Sequence, residues 1–147
     1  MPKYSVFGSK GAASVTGVLS ARADATTLVR GRLYDWMVAC VATPADNVFS
    51  HLIQRSTTAP TGAAVTPSPL DEADTASLMD ATDTITVDPT TGVTLIEVPL
   101  NHRATYRWVA APGGELVWPA TANNGLLGAL GSASTTDFAG TMMIDTA

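Results

Sequence analysis

The chain has 147 residues, of which 46% are apolar and only 14% charged, and its net charge is −5. That length suits one domain with its own hydrophobic core. The eight basic residues are scattered singly, which excludes a surface built to neutralise phosphates, and no apolar run approaches the ~18 residues of a membrane span.

Residues 1–27 are small and polar, with Gly8, Gly11 and Gly17 spread through them. Val15, Val18 and Leu19 have weak helical spacing that Gly17 interrupts. This segment reads as an extended N-terminal arm with a short strand, ordered by lying on a neighbour. Its start has no signal-peptide shape, which points to synthesis in a cytoplasm. Residues 28–147 read as one β domain.

The first strong strand runs from Leu28 to Thr43. Tyr34, Trp36, Val38 and Cys40 alternate onto one face, and Leu33, Asp35, Met37, Ala39 and Val41 onto the other. Both faces are largely apolar, so the second must meet more protein, and Met37 and Val41 are its candidate contacts. Pro44-Ala45-Asp46-Asn47 is a turn by composition. A strand follows from Val48 to Arg55, then a loop to Gly62. Pro67 and Pro69 bar the next stretch from a sheet interior, and Asp71 is placed to cap a helical turn through Leu78 and Met79.

Asp83–Asp88 and Val93–Leu100 are strands joined by Asp88-Pro89-Thr90-Thr91-Gly92. Arg103–Ala111 alternates well and, after Pro112-Gly113-Gly114, returns as Glu115–Trp118 in a hairpin that Pro119 ends. Leu126–Ala133 and Phe138–Asp145 form the last pair. About eight strands with regular turn signals define an all-β chain, an antiparallel β-sandwich of jelly-roll type.

Chemistry-bearing residues are sparse. His51, His102 and Cys40 make a zinc set conceivable, but no local ligand spacing supports it, and they read as a partly buried His51 on a strand and a His102 at a turn. No nucleophile elbow or Cys-His signature is present, so no catalytic residue is assigned. Asp71, Glu72 and Asp74, with Asp80 and Asp83 nearby, offer oxygen ligands but lack the calcium-loop pattern and read as a solvated turn. The glycines of Gly125-Leu126-Leu127-Gly128-Ala129-Leu130-Gly131 mark close backbone approach rather than a phosphate loop. Trp36 and Trp108 read as core. Trp118, beside Pro119 at a strand end, reads as an interface residue, as do Tyr4 and Phe7 in the arm.

Two groups of residues carry a resemblance. The first is Gln54-Arg55-Ser56-Thr57-Thr58-Ala59-Pro60-Thr61-Gly62 with Ala64–Asp71. The second is Asn101-His102-Arg103-Ala104-Thr105-Tyr106-Arg107-Trp108-Val109 with Pro119–Gly125. Over residues 28–147 the chain resembles small head decoration, or cement, proteins of tailed bacteriophages. The resemblance implies a β-sandwich seated on the outer face of an icosahedral head, a homotrimer bound to the major capsid protein, with no cofactor, no enzymatic activity, and no nucleic-acid or membrane partner. It assigns no individual contact residue. The alternative function is a carbohydrate-binding module on a tail or host-facing spike, with exposed tryptophans as the sugar platform.

Overall fold

The computed structural model describes residues 1–146 and contains no helix among them. Twelve strands follow in chain order: β1 (Lys3–Ser9), β2 (Gly17–Ala23), β3 (Gly31–Cys40), β4 (Val48–Ser56), β5 (Thr61–Val65) and β6 (Ser68–Pro69). The rest are β7 (Met79–Val87), β8 (Thr91–Asn101), β9 (Tyr106–Val109), β10 (Leu116–Trp118), β11 (Gly125–Leu130) and β12 (Phe138–Thr146). They form two antiparallel six-stranded sheets packed face to face. The first runs β10-β3-β12-β1-β6, with β9 also on β3; the second runs β5-β7-β2-β11-β4-β8. The expected antiparallel β-sandwich is therefore the architecture, with twelve strands instead of about eight.

Two of the four added strands, β1 and β2, come from residues 1–27, which are not an arm, and the other two, β5 and β6, come from residues 61–69. Strand β1 pairs with β12 along its whole length, and every residue of β2 is buried between β7 and β11. The reason is visible in β1, where Tyr4, Val6 and Gly8 alternate inward while Phe7 points out. The glycines that argue against a helix here permit close strand packing: a side chain on Gly8 would collide with Asp83 and Leu19.

The turn signals fall between strands as expected, but none of them joins two strands that pair with each other. No strand pairs with its immediate successor in the chain. The expected hairpin 103–119 is not a hairpin, because β9 and β10 both run antiparallel to β3, opposite Asp35–Val38 and Gly31–Leu33 respectively. The chain keeps its direction and makes a short excursion at 110–115, where Gly113 has φ +80° and Gly114 N–H donates to the Ala111 carbonyl. Likewise β7 and β8 lie far apart in one sheet, and β11 and β12 lie in different sheets. The helical turn expected after Asp71 is absent; residues 71–74 form a tight turn closed by Asp74 N–H on the Asp71 carbonyl.

The core lies between the sheets around Trp36, Trp118 and Phe138, with Leu19, Leu33, Ile53, Leu126, Leu130, Met142 and Ile144. Trp36 spans the two layers. Its ring lies against Gly140 of its own sheet and Gly128 of the opposite one, where a Cβ would fall 2.6 Å from the indole. The glycine-rich run 125–131 is thus a close-approach device, as its sequence indicates.

A second, smaller core lies on the outer face of the second sheet. There Leu52, Ile85, Leu127 and Ala129 are roofed by Val15 and Ala12 from the loop between β1 and β2. Asp88 ties that loop down. Its carboxylate accepts from Thr16 N–H at 2.8 Å, Thr16 Oγ1 at 3.0 Å and Gly17 N–H at 2.8 Å. Beyond β2, Asp24 closes the next corner by accepting from the Thr26 hydroxyl, Thr27 N–H and Thr26 N–H. Those bonds, led by the hydroxyl's, hold its carboxyl below the usual carboxylate range.

Two outcomes follow. Gly128→Ala forces Trp36 off its seat and costs about 1–3 kcal/mol, the usual penalty of overpacking, measured as a lower urea midpoint with unchanged slope. Asp88→Ala frees the 10–16 loop at a cost of about 2 kcal/mol, and hydrogen exchange shows the lost protection concentrated at Ala12, Thr16 and Gly17.

Candidate functional site

The two outer faces differ. The second sheet is covered in part by its own chain, over Leu52, Ile85, Leu127 and Ala129, whereas the outer face of the first sheet has no roof. Register sets its composition. Phe7 faces Thr141, Thr141 faces Met37, and Met37 faces Arg107, so one row crosses four strands. The neighbouring row is Ser5, Met143, Asp35 and Val109, and the next contains Ser9, Ala139 and Ala39. Phe7, Val41 and Val109 are 61%, 59% and 57% exposed. A shallow groove of about 240 Å³ runs along this face, lined by Phe7, Met37, Ala39, Val41, Ala139 and Thr141. An apolar, uncovered concavity on a sheet face is the form a protein-docking surface takes.

The face carries two ion pairs, Arg32 with Asp145 at 3.8 Å toward one end and Asp35 with Arg107 beside the groove. Asp35 is buried and accepts from Arg107 Nε at 3.1 Å and from Nη2 at 2.5 Å. The fork geometry fixes the guanidinium, and the Asp35 hydrogen bond, then its charge, pushes the Arg107 pKa up. Beside the groove the face is therefore apolar surface and a neutralised pair, with the exposed Lys3 at its far end.

Of the residues expected at an interface, the structure brings Phe7, Met37 and Val41 together on this groove. It removes Tyr4, which is buried with its hydroxyl donating to the Thr75 carbonyl at 3.0 Å. It also removes Trp118, which is 0% exposed and packed on Gly31, where no side chain fits beneath the indole. Pro119 is exposed but lies elsewhere, beside a cleft of about 150 Å³ with Arg55, Ser56 and Asn124. Both misplacements have one cause: alternation gives the face of a residue within its strand, not which strand lies opposite.

The strand assignment of β3 is also corrected. Partners on β12 step from Asp35 to Leu33 between Met143 and Ile144, so Tyr34 is an extra residue in a β-bulge. Leu33 thereby joins Trp36 and Val38 in the core. Tyr34 turns toward Lys3, whose Nζ sits 5.4 Å from the ring centre.

The other chemistry-bearing residues do not assemble into a reaction centre. Among the described residues no group of three His, Cys, Asp or Glu is placed to hold a metal ion. Asp71 Oδ1 accepts from Ala73 N–H, Asp80 pairs with Arg22 at 3.2 Å, and Asp83 accepts from Ser9 N–H at 3.2 Å. Burial lowers the Arg22 pKa, with Asp80 opposing. His51 and His102, 51 residues apart in sequence, do come together, both packed on Phe138 inside the sandwich. Trp36 and Trp118 are buried and Trp108 is half-buried, so the tryptophans present no coplanar exposed platform.

Comparisons with protein families, with curated proteins and with solved structures find no match to this chain.

The burial of Trp118 has a direct check. In a W36F/W108F variant, Trp118 is the one remaining indole, and its fluorescence is quenched by acrylamide several-fold less than that of the unfolded chain.

Proposed function

We propose that this chain is a structural virion protein of a tailed bacteriophage that decorates and stabilises the capsid by binding the outer face of the major capsid protein. The docking surface in this reading is the uncovered face of the first sheet, centred on Phe7, Met37 and Val41. The observation that carries the proposal is an asymmetry of the sandwich: the apolar patch on one outer face is covered by the chain's own loop, and the apolar groove on the other is left open. The blocks at 54–71 and 101–125 that resemble phage decoration proteins supply the kind of partner. The small, weakly charged composition supports burial of this face against a large neutral protein surface.

A stable contact needs roughly 800 Å² from each partner. Three copies in a homotrimer, each presenting the face to one shell, reinforce one another through effective concentration. The gain is mechanical: a shell bridged by many such contacts withstands internal pressure better.

The test is binding to purified capsids lacking this chain. A Met37→Asp/Val41→Asp variant places two charges in the groove without touching the core. It is expected to retain the native thermal midpoint within a few degrees, yet lose about 2–4 kcal/mol of binding, the range of central interface residues, read as a failure to co-sediment. Co-sedimentation equal to that of the native chain removes the docking face, and absence of the chain from virions removes the function.

A further inference from the structure

We propose that His51 and His102 form an acid-operated latch that holds the two sheets together at one end of the sandwich. This inference does not depend on the docking reading.

The geometry is that of a bridge. His51 lies on β4 of the second sheet, and its ring stacks on Tyr106 of β9 and meets Phe138 of β12 edge-on at 5.6 Å; both of those strands belong to the first sheet. His102 follows β8. Its ring meets Phe138 at 5.4 Å and Phe49 at 4.2 Å. The residues are 1% and 2% exposed, and none of the four imidazole nitrogens has a hydrogen-bond partner. Neutral imidazoles can be tolerated in such an aromatic cage. Imidazolium ions cannot, because each would bury a charge without a counter-ion.

No nearby group offers one. Tyr106 from β9 is a phenol whose pKa burial raises, and Cys40 lies opposite Phe138 on β3. Asp46 is exposed and engaged by Asn101 Nδ2, and Asp137 and Arg103 are exposed. Lys10 meets the Phe138 carbonyl through its backbone N–H, while its ammonium turns to the Ala12 carbonyl. The charge that acts on His51 is that of His102, which opposes protonation further. Burial first, and His102 second, lower the His51 pKa.

The sign follows. A histidine held neutral in the fold takes up its proton more readily when the end opens. The open form therefore gains from about pH 6.5, the unperturbed value, downward. His51 so held makes the closed-to-open ratio fall by up to about tenfold per pH unit. The segments released are the start of β4, residues 101–106 and the start of β12. His102 N–H donates to the Asn47 carbonyl and Val41 N–H to the Asp137 carbonyl, so those amides report the opening.

The experiment combines an NMR titration of the native chain's two histidine ring signals with amide hydrogen exchange at pH 7.5 and pH 5.0. The expected result is that the His51 ring shows no native-state titration step near pH 6.5, while His102 and Val41 amides lose at least tenfold protection at pH 5.0 relative to amides of β2. An ordinary titration of the His51 ring in the native state, or equal protection at both pH values, overturns the latch. A His51→Gln/His102→Gln variant that folds is expected to show a thermal midpoint flat between pH 7.5 and 5.0 where the native chain's falls. The native slope retained in that variant overturns it as well, and if the variant does not fold, the native-chain measurements decide alone.

Discussion

The seat of Trp36 sets the spacing on which the rest of the sandwich depends. Packed sheets lie ~10 Å apart, and an indole standing between them must reach the facing backbone. It does so here because Gly128 faces it across the gap and Gly140 lies beside it in its own sheet. A tryptophan buries about 150–250 Å², on the order of 4–6 kcal/mol of transfer free energy. That gain exists only while both positions lack a side chain. Trp118 repeats the arrangement at the rim, over Gly31. Large rings on bare backbone thus replace the usual interdigitation of medium-sized side chains, and this is how a chain rich in Ala and Gly achieves a close-packed core.

The same economy of side chains governs the outer faces. Leu52, Ile85, Leu127 and Ala129 are too few to form a core alone, and Val15 and Ala12 complete it when Asp88 pins their loop. The first sheet has an outer set of comparable character, in Phe7, Met37, Ala39, Met143 and Val109, with no loop over it. Its one buried charge, Asp35, is cancelled within the face by Arg107. An unsatisfied acid there would repel an apolar partner at considerable desolvation cost; the fork removes that obstacle before any partner arrives.

How much of this was legible in the sequence follows from the range of the interactions. Alternation identified strands and most of their faces, because a period of two is a local property: Met37 and Val41 lie on the open face, and Trp36 and Val38 in the core, as their spacing requires. The glycines at 125–131 were legible as close approach for the same reason. Pairing was not legible, because no ladder joins neighbouring strands. The Pro112-Gly113-Gly114 stretch has the composition of a hairpin turn, yet β9 and β10 continue along β3 in one direction. Residues 1–27 lack dense apolar spacing, yet they supply two interior strands because strands distant in sequence surround them. Tyr34 shows the limit within a single strand: one bulge moves Leu33 to the face opposite its expected one. The meeting of His51 with His102 had no local signal at all.

The sheet edges of this fold give backbone pairing little to extend. An unpaired edge is a template for any extended chain. The first sheet ends in the two-residue β6 on one side and in the short β9 and β10 on the other, so it presents little ladder to extend. The second sheet ends in β5 and in the eleven-residue β8, the longest strand in the fold. Strand β8 carries Glu97 and Pro99, a charge and a missing donor, and its register with β4 shifts at Ile53 and again at Gln54. A proline in a ladder is tolerated at an edge, and there it interrupts further pairing. With edge pairing discouraged in these ways, association through side chains is favoured over association through backbone. Side-chain contact requires a matching surface, which backbone pairing does not, and under the proposed docking it is the row of Phe7, Thr141 and Met37 that such a surface would have to fit.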